Sequence, residues 1–208
     1  GRWCAGPKEG AWVLMSAELT GLWKSTFFKI IEEPGISSYL SDASLQEKLA
    51  DWTRGLTKSC VHTCAALGWR ASAKGHQCEL LPLKRNEYLA LDVMAFPDSD
   101  KKWRYPVAVF ELENSFDNDQ IAYSLWKVLC VRAGLRIVFC YRKTATDGSK
   151  LVKYLEDDVI HAMGISGRLH IGGDTLIVVG SREDADTFPY KFFKWWKLDK
   201  NTGTFGLM

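Results

Sequence analysis

Three carboxylates, Asp92, Glu111 and Glu113, fall inside two short apolar segments, YLALDVMAF (88–96) and YPVAVFELEN (105–114). Side chains on a β-strand alternate between two faces, so Glu111 and Glu113 are expected to project together while Phe110 and Leu112 point into packing. A hairpin joining the two segments sets Asp92 at the same end of the sheet. Carboxylates gathered in this way raise one another's pKa unless a cation neutralises them, and hard oxygen donors suit Mg2+ or Mn2+. A divalent metal is the economical explanation, because buried carboxylates without partners are costly. The structural alternative keeps Asp92 as a hydrogen-bonded acid near a turn and Glu113-Asn114-Ser115 as a polar strand end. Downstream, Gln120, Tyr123 or Ser124, and Lys127 recur at helical spacing and predict one polar stripe beside the acids.

The elements that must position these residues can be read from periodicity. Leu19 to Ile31 reads as a helix with Leu19, Leu22, Trp23, Phe27 and Ile30 on one face, stopped by EEPG (32–35). ISSYLSDAS (36–44) reads as a linker. A second helix is expected from SLQE, where Ser44 and Glu47 have capping-box spacing, to Gly68, with Leu45, Leu49, Trp52, Leu56 and Cys60 on its apolar face. Three strands follow, Gln77 to Leu83, Tyr88 to Phe96 and Tyr105 to Glu113, joined as an antiparallel meander. Asp117 to Asp119 can cap a helix running to Arg132, and LRIVFCY (135–141) is a buried strand, expected to be central and parallel to the strand of Glu111. A helix around Lys150 to Met163, a strand TLIVVG (175–180) and an aromatic tail, FPYKFFKWWKLD, complete the chain.

An aspartate on one strand, an acid-x-acid tripeptide on the next, and the order αβββαβ resemble the PD-(D/E)XK nuclease superfamily, over roughly residues 44 to 142. The resemblance implies an α/β fold with a restriction-endonuclease-like core, a mixed central sheet flanked by helices. It casts Asp92, Glu111 and the main-chain carbonyl of Leu112 as ligands of Mg2+ or Mn2+. Glu113 stands where lysine is usual, and QIAY (120–123) is similar to the glutamine-and-tyrosine helix motif of exonuclease-like members. Either Glu113 acts as the base or Lys127 is a relocated lysine, with Gln120 orienting phosphate or water. The implied activity is metal-dependent hydrolysis of phosphodiester bonds in nucleic acid, DNA before RNA. A catalytically inactive binding module on the same fold is the second reading, and an interaction protein with structural acids the third.

The remaining features set bounds. With 208 residues and 47% hydrophobic composition, one domain is expected, divided into a helical segment (about 16–43), a nuclease-like core (about 44–142) and an extension (about 143–208). The formal charge of +2 is too mild to point to nucleic acid by itself. Six scattered cysteines and the lack of a signal-peptide pattern or long apolar stretch favour a soluble, cytoplasmic protein without a membrane partner, with Met15 as a natural start. A homodimer is compatible with this reading. Cys60, His62 and Cys64 invite zinc, but on a helix His62 turns away from the two thiols. His76, His161 and His170 join no constellation. Glu47 could supply a further acid, though capping accounts for it, and the lysine-aromatic tail reads as a packed strand before a base-stacking platform.

Overall fold

The computed structural model describes residues 9–208, with side chains from Glu18 onward; Cys4 lies outside the described residues. Seven strands form one mixed sheet whose spatial order is the order of the sequence. They are β1 (Trp69–Ala73), β2 (Val93–Pro97), β3 (Ala108–Leu112), β4 (Leu135–Arg142), β5 (Asp174–Ser181), β6 (Phe193–Asp199) and β7 (Thr204–Leu207). β1, β2 and β3 form an antiparallel meander, β3, β4 and β5 run parallel, and β5, β6 and β7 are antiparallel again. β4 is the middle strand, every residue of it buried, and it is parallel to the strand of Glu111 as its continuous apolar run implies.

Three helices precede the sheet: α1 (Glu9–Ile31), α2 (Pro34–Leu45) and α3 (Leu49–Ala66). They cover one face. Trp23, Phe27 and Ile31 of α1, spaced four apart, pack with Leu56, Cys60 and Cys64 of α3 against Phe110, Phe139 and Trp195. The other face is covered by the crossover helices α4 (Asn118–Leu129) and α5 (Ala145–Leu155), the latter followed by a π-helical turn (156–160) and α6 (Gly164–Leu169). There Ile121, Leu125, Val128, Leu151 and Leu155 pack on Val109, Val138 and Ile177. Both parallel connections leave the same face covered because right-handed crossovers that step in one direction do so. The protein is therefore a three-layer α/β/α arrangement.

Four expectations are corrected. The stretch 36–44 is not a linker but most of α2, which starts at Pro34: proline in the first helical turn lacks only an N–H that would go unused, so EEPG opens a helix. Glu47 does not cap α3. It sits in the turn before it with φ of 52°, and its carboxylate meets Arg182 at 3.3 Å. The first strand of the meander is Trp69–Ala73, not Gln77 to Leu83; the latter run is irregular, with Leu80 buried in the core under α4. The helix expected at 150–163 begins earlier, at Ala145, where Thr144 caps it by accepting from the Asp147 N–H at 3.1 Å. The aromatic tail is a packed strand, its Lys194 and Lys197 paired with Asp184 and Asp174.

Trp23 is the hub of the first core, with ring centroids 5.0 Å from Phe27 and 5.1 Å from Phe110. Trp23→Ala should therefore lower unfolding free energy by about 3–5 kcal/mol, whereas Trp23→Phe should retain most of it. Urea titration followed by circular dichroism measures both, and an alanine variant as stable as wild type would contradict the packing described.

Candidate functional site

The acids are set by strand register. Val93 pairs with Phe110 across the antiparallel β2–β3 ladder, so Asp92, one residue earlier, stands opposite Glu111, one residue later. Both lie on the face covered by α4, with Met94 and Val109 next along it. The Leu112 N–H donates to Asp92 Oδ2 at 2.7 Å, and the Asp92 N–H approaches Glu111 Oε1 at 3.4 Å. Because N–H and C=O of one strand residue point to the same lateral side, the Leu112 carbonyl also faces the β2 side, toward Asp92.

Lys127 completes the site from α4. Its Nζ lies 2.8 Å from Glu111 Oε2 and donates to the Ala90 carbonyl at 2.9 Å. The reach is possible because α4 crosses directly over β3, burying Ile121, Ser124, Leu125 and Val128 and leaving Lys127 at the rim. Glu111 is only 4% exposed. Burial pushes its pKa up to about 7, with the neighbouring Asp92 adding to the rise and Lys127 and Ser124 opposing it. Burial likewise raises Asp92, against the pull of the Leu112 N–H and Lys127.

The other expected residues are placed differently, although the charge of Glu113 still reaches Asp92 and adds to the rise of its pKa. Glu113 falls one residue beyond β3: its N–H bonds the Phe139 carbonyl at 2.9 Å, while its carboxylate accepts from the Ser115 N–H at 2.7 Å. Gln120 is exposed on the first half of α4. The polar stripe thus splits, Ser124 and Lys127 facing the acids and Gln120 and Tyr123 facing solvent. Among the described residues, no three His, Cys, Asp or Glu side chains converge as a metal-holding group; the acids form a pair. Cys60 and Cys64 are fully buried thiols whose pKa burial drives upward, Cys64 to about 12, while His62 is exposed.

One contributor has no sequence signal. Leu89 and Ala90 both adopt left-handed backbone, with φ of 56° and 54°, just before Asp92 and the start of β2. This conformation disfavours residues with a Cβ by about 1–2 kcal/mol each. It turns the Ala90 carbonyl toward Lys127, so the strain is held at the point where the lysine is fixed. Only glycine or asparagine would have announced it, and neither is present.

No protein-family model, curated protein or solved structure matches the chain. Among the described residues, no helix is long and apolar enough to cross a membrane.

Two outcomes follow from this geometry. Ala90→Gly should raise the melting temperature by relieving strain worth about 1 kcal/mol, provided the Lys127 contact, which uses only the carbonyl, is kept; a lower melting temperature would show that the turn is not strained. Glu111 has a folded pKa above its unfolded value, so the folded protein binds the extra proton between about pH 4.5 and 7. Its contribution to stability is complete below that window and is lost as pH rises through it. In chelator, wild type should lose stability across this window relative to Glu111→Gln, and parallel pH profiles would refute the assignment.

Proposed function

We propose that the chain is a metal-dependent nuclease that hydrolyses phosphodiester bonds, DNA before RNA, on a restriction-endonuclease-like core running from α3 to β4. The observation that carries this reading is the pairing of Asp92 and Glu111 across β2 and β3, with Lys127 of the following helix 2.8 Å from Glu111. The order helix, three antiparallel strands, crossover helix and parallel strand supports it.

The donor set fits Mg2+ or Mn2+: two carboxylates and a main-chain carbonyl, all hard oxygens, with solvent to complete the shell. Asp92, Glu111 and the Leu112 carbonyl would hold the ion. When bound, it lowers the pKa of a coordinated water and draws charge from the phosphate. Glu111, desolvated and raised toward neutrality, is the group that gains most from a divalent neighbour. Lys127 meets that charge in the meantime, and its ammonium is positioned to oppose negative charge developing on a phosphate. Between the two replacements for the usual lysine, the geometry favours Lys127, because the Glu113 carboxylate is engaged by its own turn at Ser115.

A binding module on the same fold is the second reading, favoured by one observation: Asp92 and Glu111 already have partners in the Leu112 N–H and Lys127. Cleavage of supercoiled plasmid, linear duplex, single strands and RNA with Mg2+ or Mn2+ separates the two. Asp92→Asn and Glu111→Gln should abolish cleavage, and Lys127→Ala should lower it by roughly 10²-fold with binding nearly intact. Manganese calorimetry should show binding in wild type and none in Glu111→Gln. Binding without cleavage of any substrate would give the binding module.

A further inference from the structure

Beyond the acid pair, β4 runs on and ends at Arg142, on the same sheet face as Glu111: Glu111 is level with Val138, and Arg142 lies four residues further. That is about 13 Å along the sheet. Here the first turns of α4 and α5 leave an open cleft of about 370 Å³, lined by Phe116, Asn118, Arg142, Lys143, Asp147 and Lys150.

Arg142 is the unusual member. It is 8% exposed, donates to Asn118 Oδ1 at 2.5 Å and to the Tyr141 carbonyl at 2.7 Å, and has no ion-pairing carboxylate among the described residues. Burying a guanidinium is costly, the charge of Asp147 offsets that cost only in part and from beyond ion-pair distance, and planar donors of this kind suit phosphate oxygens. The one acid in the wall, Asp147, accepts from the Thr144 hydroxyl at 2.9 Å and lies 3.9 Å from Lys150 Nζ, so three cations face one carboxylate. Lys143 is exposed; at the end of β5, Arg182 stacks over the Phe116 ring at 4.8 Å but is paired with Glu47, and Glu183 accepts from the Ala145 N–H at 2.7 Å, so the free positive charge is that of Arg142 and Lys143 with Lys150.

We propose that this cleft binds backbone phosphates of the nucleic acid on which the acid pair acts, with Arg142 as the buried anchor and Lys143 and Lys150 as its outer contacts. The inference rests on the nucleic-acid reading above and deepens it, since it predicts a grip on the strand well away from the bond to be cut. The cleft therefore sets affinity and not the chemical step.

The test is fluorescence anisotropy with a labelled 20-nucleotide single-stranded oligodeoxynucleotide in chelator, which silences any metal-held contact. The double variant Lys143→Ala, Lys150→Ala changes two exposed side chains and should fold as wild type. Its binding should be roughly tenfold weaker, and the slope of log affinity against log salt shallower by about 1.4, two single-strand phosphate contacts at roughly 0.7 each. Arg142→Gln, with its melting temperature measured alongside, should weaken binding further. Unchanged affinity and salt slope in the lysine variant would overturn the inference. Loss of cleavage in Asp92→Asn together with unchanged binding in the lysine variant would sink the cleft and leave the nuclease. Wild type that binds through the lysines and cuts nothing would sink the nuclease and leave the cleft.

Discussion

A carboxylate inside a sheet, covered by a helix, must either meet a positive charge or give up its own. Glu111 is in that position, and the ammonium of Lys127 is what meets it. Much of the surrounding structure answers to this one pair. α4 has to cross β3 at a place where its last turn puts Lys127 over the acid. The segment before β2 has to offer a carbonyl for the second ammonium proton, and Ala90 does so from a left-handed backbone. Asp92 then has little choice of place, because the same register that opposes it to Glu111 brings it under the Leu112 N–H.

The balance of these terms sets the protonation of Glu111. Burial drives Glu111 toward neutrality, the lysine drives it toward charge, and the outcome near pH 7 leaves both forms accessible. The neighbouring phenol and indole of α4 add to the setting: Tyr123 and Trp126 stack on each other, exposed, and Lys127 lies 5.5 Å from the Tyr123 ring centroid. The lysine is thus also held by the Ala90 carbonyl and the Tyr123 ring, neither of which competes for its charge as strongly as Glu111 does.

Where the sequence was legible, the signal was strong in itself. LRIVFCY and TLIVVG are runs of buried β-formers with no alternative use, and the capping of α4 by Asp117 is local, its side chain accepting from Asp119 N–H. Asp92 and Glu111 were legible as a pair because neighbouring antiparallel strands carry them, although the long connection (98–107) does not by itself fix their register. The missed elements depend on partners. WRASA has weak strand character and is a strand because β2 offers an edge to it. Pro34-Gly35 has the letters of a stop and the position of a start, a distinction made by Leu40 and Ala43 finding the core. The fate of Glu113 turned on one residue at the end of β3, and the reach of Lys127 on a crossover angle that no periodicity encodes.

The sheet that carries the site has its strands in chain order, so during synthesis each new strand can join the edge left by the one before it. α1 has no such freedom. Trp23 and Phe27 need Phe139 and Trp195, and the Thr20 hydroxyl donates to Asp174 at 2.6 Å, 154 residues away. α1, which precedes every strand of the sheet in the chain, is therefore among the last of these elements to find its seat, and its aromatic face stays uncovered until β4, β5 and β6 exist. That interval, not the finished fold, is where a nascent chain would most depend on a chaperone.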